Sequence, residues 1–276
     1  VFARLAWDAA PHECLKAGLR CEAYHRVRPL LRRLGLAAEP EDQRAFLFPA
    51  LVAALTQAGP RILISGSVDE AMASMVVEAG SVVGCAPSIV VVDRCMTPLL
   101  VNQAFAQSAG ADLSIVQADI LSFRAPHQFD VVATHSLFGS IGPNDRSRLI
   151  TTWADSLRPG GRVITVARLR PASEARSFAS EAPARLAAEV RRRAAEHAQE
   201  IGIAADALTE AVLRYTRERA VSFPVGSLAE LVGLFAGNGF RVLQAETEDM
   251  PGRIRGIEGP GLPRGGLYAE VVAERV

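Results

Sequence analysis

The chain has 276 residues, 49% of them hydrophobic, and its 30 basic side chains balance 30 acidic ones to a formal charge of zero. That length can bury a full core, and no apolar run approaches the roughly 18 residues of a membrane-crossing helix. Without a net positive field, neither nucleic acid nor an anionic membrane is an expected partner.

Residues 1–58 read as a helical N-terminal cap. "CLKAGLRCEAYHRVRPLLRRLGL" carries apolar residues at helical spacing, and "PEDQRAFLFPALVAALTQAG" opens with acids and stops at Gly59-Pro60. The cysteines Cys14, Cys21, Cys85 and Cys95 form no C-x-x-C pair and lie near no histidine cluster of zinc spacing. No structural metal is expected from that pattern. No signal peptide is read at the start, so the expectation is a cytoplasmic protein with reduced thiols.

From residue 61 the pattern changes to short β-branched runs separated by amphipathic segments: "RILIS", "SIVVVD", "LSIVQAD", "FDVVAT" and "GRVITVA". This alternation predicts an α/β fold, a doubly wound parallel sheet with helices on both faces, over residues 59–276. The connecting helices are expected at 69–79, 97–109 and 144–157. Residues 172–219 are charged, alanine-rich and free of strand signals, which predicts a helical insertion. A helix at 226–238 and strands at "FRVLQAE" and "GGLYAEVVAE" then complete the sheet.

In such a sheet a ligand lies beyond the carboxyl ends of the strands. Those ends carry Ser65-Gly66-Ser67, Asp93, Asp119-Ile120 and Thr134-His135-Ser136. Asp93 can accept both hydroxyls of a ribose or cap the following helix. Asp119 can accept from an adenine amino group, beside the Ile120 backbone NH, or serve as a cap. His135 is the best-placed histidine for a general base, with packing as its alternative role.

The ordered series "ILISGSVDEAM", "IVVVDRCMTPLL", "VQADILSF", "FDVVATHSLFGSI" and "LRPGGRVITVARL" resembles the motifs of class I S-adenosylmethionine-dependent methyltransferases over about residues 60–170. The resemblance implies a Rossmann-like sheet of seven strands with the last antiparallel, S-adenosylmethionine as cofactor, and a lid built from the N-terminal helices and the insertion. The cofactor contacts expected are Ser65, Gly66, Ser67, Asp93, Arg94, Asp119, Ile120 and Thr134; His135 is the catalytic candidate by its strand-end position, with packing as its alternative, and methyl transfer requires no metal. The acceptor expected is a small molecule, methylated on oxygen, nitrogen or carbon, and a homodimer is compatible with the sequence. The chain departs from the family at Ile64, where an acid is usual, and at Val68 and Glu70, where glycines are usual. Asp69 or Tyr24 is the expected substitute for the methionyl contact. The rival readings are a silent S-adenosylmethionine-binding scaffold and an NAD(P)-dependent oxidoreductase, the latter disfavoured by the absence of G-x-G-x-x-G.

Overall fold

The structure, a computed structural model, describes residues 1–16, 18, 20–56, 60–170, 182–218, 222–250 and 266–276. Seven strands form one sheet: β1 (Arg61–Ser65), β2 (Ser88–Asp93), β3 (Leu113–Gln117), β4 (Phe129–His135), β5 (Leu157–Arg168), β6 (Phe240–Met250) and β7 (Gly266–Arg275). Their order is β3-β2-β1-β4-β5-β7-β6. The first five run parallel, and β7 is antiparallel to both β5 and β6. The order reverses between β1 and β4, which opens a crevice above their carboxyl ends.

The strand alternation sorts side chains to two faces. Ile62 and Ile64 of β1, Val131 and Ala133 of β4, and Ile164 and Val166 of β5 face a core built with α3 (Arg44–Ala54) and α4 (Ala71–Val82). Leu63, Val132 and Val163 face the other way, toward α6 (Arg146–Ser156) and α10 (Leu228–Ala236). There Trp153 stacks on Phe235 at 6.3 Å between ring centroids, and Phe138 meets Trp153 edge-on at 5.7 Å. Each buried Leu, Ile or Phe on these faces contributes about 1.5–3 kcal/mol.

A third core lies above the sheet. α1 (Phe2–Lys16) and α2 (Glu22–Arg33) pack with α7 (Ala182–Glu196), α8 (Ala198–Ile201) and α9 (Ala205–Glu218), burying Trp7, Leu30, Leu31, Leu208, Val212 and Tyr215 together. The helical segment read at 14–36 is therefore two helices, divided around Gly18, whose φ of +64° suits glycine. Residues 1–58 also do not act as one cap. Phe46, Leu47 and Leu51 of α3 belong to the core on the sheet's face, because that helix is apolar enough to serve as a sheet layer. The expected boundary at 58–59 and residues 172–181 and 219 of the insertion lie outside the described residues.

α5 (Met96–Ala109) completes the set of helices and ends on Gly110 in the left-handed region. β5 begins at Leu157 rather than at Gly161, and its register with β4 shifts between Phe129 and Val131. Gly160, at φ +76°, is the residue that lets the "LRPGG" turn run straight into the strand.

Candidate functional site

A cleft of about 450 Å³ lies at the carboxyl ends of β1, β2 and β4, with the start of α2 above it. That size suits a nucleoside-bearing ligand. Gly66, Ser67, Asp93, Arg94, Asp119, Ile120 and His135 all line it.

Gly66 sits at φ +72°, and a Cβ there would come within 2.9 Å of Leu137 Cδ1. The turn therefore needs glycine at this position and lets Leu137 close against it. Val68 lines the cleft, whereas Glu70 lines a separate hollow with Phe2, Arg44 and Glu78. A side chain at Glu70 therefore costs the cleft no space. Asp69 is committed elsewhere: its Oδ1 accepts from Arg32 Nη1 at 2.5 Å, and both side chains are buried. This ion pair ties α2 to the β1 turn. Arg32, Asp69 and Tyr24 all border the cleft.

Asp93 receives two backbone donors, Ser67 N at 3.0 Å on Oδ2 and Cys95 N at 2.8 Å on Oδ1. Burial pushes its carboxyl up from the ordinary value, while His25 and those two NH groups pull it back. Each oxygen keeps a second lone pair for a ligand hydroxyl. Asp119 caps the short turn Ile120–Ser122 through Leu121 N at 3.0 Å, and its other oxygen lies 3.6 Å from Arg94 Nε. The cap and the cleft-lining position coexist because they use different oxygens.

Two residues expected at the cofactor do not border the cleft. The Ser65 hydroxyl accepts from Trp153 Nε1 at 2.9 Å, and the Thr134 hydroxyl donates to the Ser65 carbonyl at 2.8 Å. Both are fully buried. The Ser65 side chain faces α6 and the Thr134 hydroxyl faces the neighbouring strand β1, so both support the cleft floor from below.

His135 presents a ring with Nε2 2.7 Å from Gln43 Oε1. A carbonyl oxygen can only accept, so Nε2 carries the hydrogen and the lone pair resides on Nδ1. That Nδ1 is buried with no hydrogen-bond partner. Burial first, then Arg32 and Arg28, holds this imidazole well below its ordinary pKa, so it is neutral near pH 7 rather than poised to titrate there.

The sequence reading set the cysteines apart, and the fold gathers three of them. Cys14, Cys21, His25 and Cys95 present their donor atoms within 4.8 Å of one another beside Asp93. Cys21, His25 and Cys95 also border the cleft. Burial pulls the His25 ring down, but Cys14 and Cys95 outweigh it and push it up to about 10. The Cys95 thiol is pulled well below its usual range, first by Cys14 and Cys21. The legible fragment of this cluster was the C-x₆-C-x₃-H run at 14–25. Its fourth member lies 70 residues further on.

Residues 65–165 match the family profile described as "Methyltransferase domain". No curated protein matches the sequence. A solved S-adenosylmethionine-dependent methyltransferase from Mesorhizobium loti superposes with a TM-score of 0.50 at 17% identity, over 82% of this chain and 96% of that one. A second, from Methanosarcina mazei, gives 0.49 at 14% identity over 80% and 94%. The geranyl diphosphate C-methyltransferase of Streptomyces coelicolor gives 0.49 at 13% identity over 83% and 78%. At such identities the likeness is one of fold. The domain match speaks against the oxidoreductase reading: residues 65–165 carry a methyltransferase domain, and S-adenosylmethionine is the cofactor that this family implies.

Proposed function

We propose that the protein transfers a methyl group to a small nucleophilic acceptor, at oxygen, nitrogen or carbon, held between the strand ends and the helices above them. The observation that carries this reading is the cover over the cleft: Arg20, Cys21, Tyr24, His25 and Arg32 face Gly66, Asp93 and His135 across it. A chain with zero formal charge offers no field to gather a long polyanion there.

The residues present fit the cofactor. Asp93 would accept the ribose hydroxyls, Asp119 and Ile120 would flank the adenine, and the Gly66-Ser67 backbone would approach the sulfonium end. Bound there, the cofactor supplies an electrophilic methyl group. The protein's part is to align the acceptor with it and to keep water out. His135, neutral and lining the cleft, would hold the acceptor's proton.

The test separates binding from turnover. His135→Ala should keep the wild-type affinity for S-adenosylmethionine in calorimetry and lower kcat by about 10²-fold on an acceptor found by screening small molecules. Because the ring is already neutral, the wild-type rate should show no inflection from it between pH 6 and 9. An unchanged kcat would make His135 structural. Cofactor binding without turnover on any acceptor class would instead favour a silent scaffold.

A further inference from the structure

We propose that Cys14, Cys21, His25 and Cys95 form a closed four-ligand zinc site that pins the N-terminal helices to the rim of the cofactor cleft. The donors are three sulfurs and one imidazole nitrogen, a set that Zn²⁺ takes in tetrahedral structural sites. Zinc–sulfur bonds of about 2.3 Å place neighbouring sulfurs of such a tetrahedron about 3.8 Å apart. Here Cys14 Sγ lies 3.4 Å from Cys95 Sγ and 3.5 Å from His25 Nδ1, and all four donor atoms fall within 4.8 Å of one another. The group already has about the size of a coordination sphere and needs only small shifts of the donors to admit the ion.

Local structure supports thiolates at this point. Cys21 and Cys95 occupy the N-cap positions of α2 and α5, helices of 12 and 14 residues, where the helix dipole favours negative charge. Thr97 Oγ1 lies 3.4 Å from Cys14 Sγ and can donate to it. None of the four cysteines is in a disulfide. A disulfide would use two sulfurs and leave the third and the imidazole unexplained, whereas a zinc ion uses all four groups. On binding, the thiols and the imidazolium release to solvent whatever protons they still hold, the freed imidazole nitrogen and the three thiolates each donate a lone pair, and nothing is oxidised.

Packing explains what the ion would do. Among the described residues the apolar cluster at this joint holds Ala10, Cys14 and Cys95, with Cys21 packed against it, a small burial to fasten α1 and α2. Cys95 N donates to Asp93 Oδ1, so an ion held by Cys95 fixes the same turn that presents Asp93 to the cleft. With four protein ligands no coordination position stays open for an acceptor, which makes the role structural. The assignment is independent of which acceptor is methylated.

The experiment uses the full chain, purified reduced and without chelator. Elemental analysis should find about one zinc per chain, and the metal-stripped protein titrated with Co²⁺ should develop the intense visible bands of a tetrahedral, thiolate-rich site. Cys14→Ser and Cys95→Ser should lose the metal, while Cys85→Ser, outside the cluster, should keep it. The wild-type cobalt spectrum decides the matter even if a variant fails to fold. No retained zinc together with no tetrahedral cobalt spectrum would overturn the proposal. So would an intact mass showing a Cys14–Cys95 disulfide in the freshly isolated protein, or equal metal loss in Cys85→Ser.

Discussion

The sheet and the helices above it are built by different rules. Below the cleft, β1, β2 and β4 lie side by side, their polar ends in register and their two faces filled by separate cores. Above it, α1 and α2 from one end of the chain complete their core only with α7, α8 and α9, more than 140 residues later. The lower half draws its partners from helices along much of the chain, and the upper half is a separate helical core that meets it where α1 packs across α5 and at further points. One such point is the Arg32–Asp69 ion pair. Chemistry that needs a fixed floor and a movable cover can be divided between two such halves.

The sharpest way to break this division is at Trp153. It is fully buried, stacks on Phe235 and donates to Ser65. Trp153→Ala should cost about 3–5 kcal/mol and lower the main unfolding transition of the whole molecule. Leu208→Ala, in the upper core, should instead accelerate hydrogen exchange in residues 182–218 while β1 and β4 keep their protection. Equal loss of protection in both would show that the halves unfold as one unit.

A smaller effect is expected at the stitch between them. Asp69→Asn leaves the Arg32 guanidinium buried without its carboxylate, which should cost about 3 kcal/mol in denaturant unfolding. Replacing both partners with apolar residues should recover much of that loss. If the single substitution costs nothing, the pair does not couple the halves.

The smallest effect belongs to the sheet's far side and titrates. Glu270 of β7 is pushed up to about 7, first by burial and then by Glu248 and Glu246 of β6. An unfolded glutamate titrates at about 4.3. The folded state therefore holds a proton that the unfolded state has released, and stability falls as pH rises from about 4.3 to 7. Glu270→Gln should leave the melting temperature unchanged at pH 4 and raise it at pH 8, in the sheet's transition. A shift of equal size at both pH values would point to packing rather than ionisation.

The floor was legible because a buried parallel strand is written locally: the four β-branched residues Ile89, Val90, Val91 and Val92 running into Asp93, and their neighbours, declare both the strand and its polar end. The cap-or-ligand ambiguity at Asp119 was legible too, and the structure shows the cap to be real while the second oxygen stays at the cleft. The buried placement of the Ser65 and Thr134 side chains was not legible, because a strand-end position does not say which face a side chain takes. The metal donors were hidden for a different reason. Cys95 meets Cys14 only after α1 has packed across α5, and no spacing in the chain records that crossing.

The shared core of α1, α2, α7 and α9 also sets a timetable for synthesis. Leu34 and Leu186, members of that one core, lie 152 residues apart in the chain. At roughly 5–20 residues per second, the apolar face of the first two helices leaves the ribosome about 8–30 s before its partners exist. During that interval the growing chain carries an unpaired hydrophobic surface, a natural target for chaperones, and the sheet begins to form beneath a roof that cannot yet close.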